Sequence, residues 1–154
     1  MSYWTHVTAT FRIDCLDRDE MPNMIKKVMG QTLEFGEAPD PNTYYLPYGS
    51  EGSLHYEIIE NPNETSIAAY TVTVFGDLRD YTDADAIIEW FESVCSNFMM
   101  RQAVITLYVN DGPVIYGALT HYDADTNYYD YTEMSEDENG NWITAPRSTK
   151  ITHS

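Results

Sequence analysis

The chain has 154 residues, 43% of them hydrophobic, and a net charge of −17 from 25 acidic and eight basic side chains. That length suits one hydrophobic core and is short for two domains. The carboxylate excess argues against direct binding to nucleic acid or to an anionic membrane, which need a basic footprint, and favours a basic partner protein. No window approaches about 18 apolar residues and the start carries no secretory signal, so we expect a soluble cytoplasmic protein.

The first half of the chain predicts a strand, a helix, a long loop and a hairpin. Trp4–Asp14 alternates apolar and polar residues, which is typical of a half-buried strand. Pro22 suits a first helical turn and Gly30 can end that helix. Residues 31–53 are rich in proline, glycine and tyrosine and predict a long ordered loop. Residues 54–60 and 66–75 then predict two antiparallel strands.

The second half predicts a helix followed by another hairpin. Thr82 suits the helix N-cap, and apolar residues then recur at helical spacing at positions 87, 90, 91, 94 and 98. Residues 103–109 alternate as a strand, residues 110–113 predict a tight turn, and residues 114–122 return as a further strand.

This element order, β-α-β-β-α-β with one further strand, predicts an α+β fold. Its pattern is that of the ferredoxin-like fold, an antiparallel sheet with two helices on one face, over residues 1–122. Residues 123–154 form an acidic C-terminal extension. Within it, residues 127–134 and 142–145 can pair as a hairpin packed on the same domain, or the segment can be an acidic tail.

Neither the cysteines nor the histidines predict a metal site. Cys15 and Cys95 lie on separate elements and are expected to be reduced, with a single disulfide left open. Asp123 begins a segment like a calcium-binding loop, but Tyr128 and Met134 occupy the positions that need glycine and glutamate. Three histidines, His6, His55 and His121, fall on predicted strands, and no two of them have ligand spacing on one element. We expect no metal and no cofactor.

Catalysis is not predicted either. The chain has no nucleophile elbow, no phosphate-binding glycine loop and no metalloprotease motif. We therefore expect a protein that is not an enzyme.

The sequence feature that indicates a function is the placement of acidic residues next to tyrosines. Carboxylates next to tyrosine rings can imitate the phosphates that basic proteins bind, and tyrosine is enriched at interfaces. The candidate partner-binding residues near the C-terminus are Asp123, Asp125, Tyr128, Tyr129, Asp130, Glu133, Glu136, Asp137 and Glu138. A second set in the long loop is Glu34, Glu37, Asp40, Tyr44 and Tyr45.

The opening residues Ser2-Tyr3-Trp4-Thr5-His6-Val7 resemble the start of small uncharacterised proteins encoded by phages and prophages. In size and acidity the chain is also similar to anti-CRISPR and anti-restriction inhibitors. This resemblance implies a phage-encoded inhibitor that occupies the nucleic-acid-binding surface of a basic host defence protein, and it assigns no site residue.

Two other functions stay open. The protein can sequester a nucleotide signal in a pocket under the proline-rich loop, where Arg18, Lys26 and Lys27 are the available phosphate anchors. It can also be an accessory phage protein whose acidity serves solubility and which has no host partner. A free edge strand or an exposed sheet face would allow a homodimer.

Overall fold

The structure is a computed structural model that describes residues 2–62, 68–112, 114–123 and 128–152, with the backbone alone at 68, 111, 120–123, 128–130 and 145–152. The elements are β1 Trp4–Asp14, α1 Met21–Met29, β2 His55–Glu60, β3 Ala68–Arg79, α2 Ala84–Ser96, β4 Met99–Tyr108, β5 Val114–Asp123, β6 Tyr128–Glu136 and β7 Trp142–Thr152. A single 3-10 turn, Val109–Asp111, joins β4 to β5. In this part of the chain, no helix has the length and apolar character needed to cross a membrane.

The strands form one antiparallel sheet in the order β2-β3-β1-β4-β5-β6-β7. The predicted α+β class is therefore confirmed. The sheet is larger than the expected four strands and one addition, because the acidic C-terminal extension contributes β6 and β7 beside β5. β1 lies inside the sheet and β2 and β7 form its two edges.

One hydrophobic core lies between the sheet and both helices. The predicted alternation in β1 is confirmed: Val7 and Phe11 are at most 2% exposed and face the helices. From α2, Phe91 packs on Phe11 with ring centroids 5.2 Å apart. From α1, Ile25 and Met29 join the same cluster. Both helices thus cover one face of the sheet, and the described residues place no helix on the other face.

Each helix begins and ends for a local reason. Pro22 lies in the first turn of α1, and Gly30 ends it with φ +94°. A Cβ on Gly30 would lie 2.9 Å from the Tyr44 ring, so both the backbone angle and the close approach require glycine. The predicted Thr82 cap of α2 is wrong by one residue. Asp83 is the N-cap, because its carboxylate accepts a hydrogen bond from the Ala86 amide at 3.1 Å.

The long loop between α1 and β2 is packed against the domain at both ends. Gln31 and Tyr45 form a parallel bridge next to the end of α1. Leu46 and Leu54 are fully buried in the common core. The Tyr45 and Tyr48 rings meet edge to face at 6.0 Å. These contacts agree with the expectation of an ordered loop with packed tyrosines.

The C-terminal hairpin is part of the sheet and carries a bulge. β6 pairs with β7 across the turn at residues 137–141, so of the two alternatives, a hairpin or an acidic tail, the segment forms the hairpin, with a longer second strand. Thr132 pairs with Ser148 and Met134 with Thr144, so three residues of β7 lie opposite Glu133 alone. Pro146 is in that bulge, where its missing N–H removes no ladder hydrogen bond.

Candidate functional site

The sheet face opposite the helices is open and carries exposed aromatic rings. Side chains on neighbouring strands that pair in register point to the same face, so the open face consists of rows running across the strands. Threonines fill much of the middle rows, for example Thr8, Thr73 and Thr106. Large exposed side chains stand among them: Ile59, Phe75, Tyr108, Tyr116 and Trp142, each between 37% and 52% exposed.

The outermost row, where β1 begins and β3 ends, combines acids with aromatic rings. We call it the acidic row. It consists of the paired residues Asp77, His6, Tyr108 and Val114 on β3, β1, β4 and β5, and of the pair Glu136 and Trp142 on β6 and β7, one residue beyond the Ile115–Ser135 pair that joins β5 to β6. With neighbouring strands about 4.8 Å apart, it spans roughly 24 Å.

Contacts at the β3 side of the acidic row fix its side chains. The Asp77 carboxylate lies 2.7 Å from His6 Nδ1, and the side chains are 64% and 44% exposed. The His6 ring stacks on Tyr108 with centroids 5.9 Å apart. A carboxylate, an imidazole and a phenol therefore present one continuous polar and aromatic surface to solvent.

At the β7 side, the row ends with an acid beside a tryptophan. Glu136 pairs in register with Trp142, whose ring is 47% exposed. Glu138, in the adjoining turn, is exposed. Asp137 shapes that turn, because its carboxylate accepts hydrogen bonds from the Asn139 and Asn141 amides. These bonds lower the pKa of Asp137, so the turn keeps this charge.

Further carboxylates surround the single described base at this end of the sheet. Arg79 lies 3.1 Å from Glu51 and 3.6 Å from Asp80. Two acids therefore face one base there, and the end of the sheet stays negatively charged. Such an arrangement complements Lys and Arg on a partner and repels phosphate.

The structure does not bring the C-terminal candidate residues together. Tyr128 and Glu136 lie at opposite ends of β6, roughly 26 Å apart at about 3.3 Å per residue. Glu133 faces the helices, is 6% exposed and lies 3.3 Å from the Tyr131 hydroxyl, so it offers no docking surface. Asp125 falls outside the described residues. Only the backbone is described for Asp123, Tyr128, Tyr129 and Asp130.

The loop candidates lie on the other side of the molecule. The loop leads into β2, five strands from β6 and so roughly 24 Å away. Glu34 and Glu37 are exposed, whereas Asp40 accepts from the Asn42 amide at 2.9 Å and stabilises its own turn. Tyr44 is 55% exposed, and the Tyr45 hydroxyl accepts from the Asp40 amide. The two predicted sets are therefore separate surfaces.

Of the six residues of the acidic row, only Glu136 was among the predicted partner-binding residues. His6 and Tyr108 are visible as polar-side positions of alternating strands, but nothing local indicates that they stack. Asp77 joins them only because β3 pairs with β1 over a separation of 71 residues. That register follows from the burial of both inner faces and cannot be read from either strand alone.

The two cysteines and the potential metal-binding side chains were compared with what nucleophilic catalysis and metal binding require. Cys15 and Cys95 are both free and buried, and burial raises the pKa of each thiol, that of Cys95 strongly. Both thiols are therefore protonated near neutral pH and weakly nucleophilic. Within the described ranges, no three His, Cys, Asp or Glu side chains are grouped to hold a metal ion. His6 and His55 stand in different rows, and the side chain of His121 is outside the description.

Comparison with known proteins finds no match to a family model, to a curated protein or to a solved structure.

Proposed function

We propose that this is a non-catalytic interaction protein that binds a basic partner protein through the acidic row of the open sheet face. The observation that carries the proposal is the register of Asp77, His6 and Tyr108 beside Glu136 and Trp142. Exposed aromatic rings supply contact area, and the neighbouring carboxylates select Lys and Arg.

The kind of partner follows from charge and from the opening residues. A net charge of −17, together with the carboxylates of the acidic row, favours a protein that itself binds nucleic acid. The resemblance of residues 2–7 to phage and prophage proteins supports a phage-encoded inhibitor of a host defence protein, acting in the host cytoplasm. The open face could instead form a homodimer. The carboxylates of the two copies would then face each other and repel, which disfavours this alternative.

We also infer a ferredoxin-like arrangement for the part of the domain that holds β1 to β4. Its support is the order β2-β3-β1-β4, in which β3 lies between β2 and β1 and all pairs are antiparallel. In this view β5, β6 and β7 extend the sheet at one edge and lengthen the acidic row.

Replacing the carboxylates of the acidic row tests the proposal. The wild-type protein, immobilised and exposed to bacterial lysate at low salt, is expected to retain a basic protein that elutes as salt rises, because exposed charge pairs are screened within about 10 Å at 0.1 M. With that partner purified, D77N/E136Q should lower the affinity about tenfold or more. W142A should lower it by a similar factor if the ring is an anchor.

The matched control is E34Q/E37Q, which removes two exposed charges from the loop on the β2 side. It should leave the affinity within about twofold. Equal losses in the two double variants would show that net charge alone drives binding, and a loss confined to E34Q/E37Q would assign the site to the loop. Nucleic acid should compete with the protein for the partner; simultaneous binding of both would contradict the inhibitory mechanism.

A further inference from the structure

A groove of about 1020 Å³ lies between α1 and the edge strand β2, away from the acidic row. α1 contributes Pro22 and Lys26, and Gly30 follows at the same four-residue spacing just after the helix ends. β2 contributes Tyr56 and Ile58, which pair with core residues of β3 and are only partly buried. The groove therefore has an apolar floor and one basic wall.

The basic wall carries the two lysines of the chain whose side chains are described. Lys26 and Lys27 have no carboxylate within ion-pair distance among the described residues, whereas Arg18, Arg79 and Arg101 each pair with one or two acids. Lysines in the last turn of a helix also interact favourably with the helix dipole, and this effect is independent of the groove. Two unengaged cations at the mouth of a cavity favour an anionic ligand.

The remaining lining suits a flat ring system. Tyr56 is partly buried and Tyr70 is buried, and this burial raises the pKa of both phenols. The Tyr70 hydroxyl donates to the Arg18 carbonyl at 2.7 Å, which holds its ring in place. The one carboxylate in the lining, Glu60, lies 3.4 Å from Arg18, which offsets its charge. At the other side, Gln31 adds an exposed amide.

We propose that this groove binds a free nucleotide, with its phosphate held by Lys26 and Lys27 and its base against Tyr56. Ammonium groups bind phosphate oxygens through charge-assisted hydrogen bonds, and any base can stack on a tyrosine ring. The volume suits a ligand of nucleotide size. A long polyanion is disfavoured, since the surrounding acidic surface repels each phosphate beyond the two lysines.

Calorimetry with AMP and with adenosine tests the site. About 0.15 M salt limits the reach of distant carboxylates to roughly 8 Å. AMP should bind, and adenosine should bind at least about tenfold more weakly. K26Q/K27Q should lower AMP affinity about tenfold or more while leaving adenosine affinity unchanged. Y56L should weaken both ligands, and Y56F should retain both, because the ring rather than the hydroxyl makes the contact.

The matched control is R12Q, which removes one positive charge from the open face and should leave AMP affinity within about twofold. Three results would overturn the proposal: no AMP binding by calorimetry or thermal shift at millimolar concentration, equal AMP affinity in K26Q/K27Q and wild type, or tighter binding of a short single-stranded oligonucleotide than of AMP. The groove lies apart from the acidic row, so D77N/E136Q should not change AMP affinity.

Discussion

At the residue scale, Thr5 shows how one buried hydroxyl joins three parts of the chain. Its side chain is 1% exposed, donates to the Tyr81 carbonyl at 2.7 Å and accepts from the Asn110 amide at 2.9 Å. Asn110 has φ +53°, so its amide has turned out of the regular strand ladder and depends on this acceptor. The start of β1 is thereby tied to the turns after β3 and β4.

Thr5→Val should therefore destabilise the protein by about 1–3 kcal/mol, because the same volume is kept while the partly buried Tyr81 carbonyl and Asn110 amide lose their partner. Chemical denaturation followed by circular dichroism measures the change. Thr8→Val, the same substitution at an exposed position of the same strand, is the control and should stay within about 0.5 kcal/mol. Equal effects at the two positions would mean that the hydrogen bonds of Thr5 contribute nothing.

At the scale of elements, the structure shows which of two neighbouring residues, Thr82 or Asp83, caps the start of α2. Asp83→Ala should cost about 1 kcal/mol, because it leaves the Ala86 amide without its acceptor and removes a negative charge from the positive helix end. Thr82→Ala should cost much less. A larger loss for Thr82→Ala in the same denaturation measurement would move the cap back to the predicted residue.

The strands and helices could be predicted because their sequence patterns are local. The functional surfaces could not be predicted, because they form only when strands distant in sequence pair with each other. The alternation in β1 and the helical spacing around Phe91 are patterns of nearby residues, and both elements were predicted from them. The acidic row needs the registers of five strand pairs, which depend on the whole core. Glu133 shows the limit of composition: it stands among acids in sequence, yet strand alternation turns it toward the helices.

For the whole molecule, the charge of −17 opposes folding and favours binding to a basic partner. Carboxylates that repel one another oppose the compact state, and salt screens that repulsion. The melting temperature should therefore rise by a few degrees between low salt and about 0.3 M, while affinity for a basic partner falls. Differential scanning calorimetry in sodium chloride measures the first effect.

The control for specific ion effects is potassium fluoride at equal ionic strength. Screening depends on ionic strength alone, so both salts should give similar shifts at low concentration. A melting temperature that is independent of both salts would mean that self-repulsion among the carboxylates is negligible in the folded protein.

The two edges of the sheet have a consequence for self-assembly. A seven-stranded sheet with an uncovered face would be a template for fibrils if its edges were long and regular, because each free edge offers backbone groups to an identical chain. β2 has only six residues, and the bulge around Pro146 interrupts the ladder of β7. The chain can therefore leave its open face available for a partner without growing into cross-β aggregates.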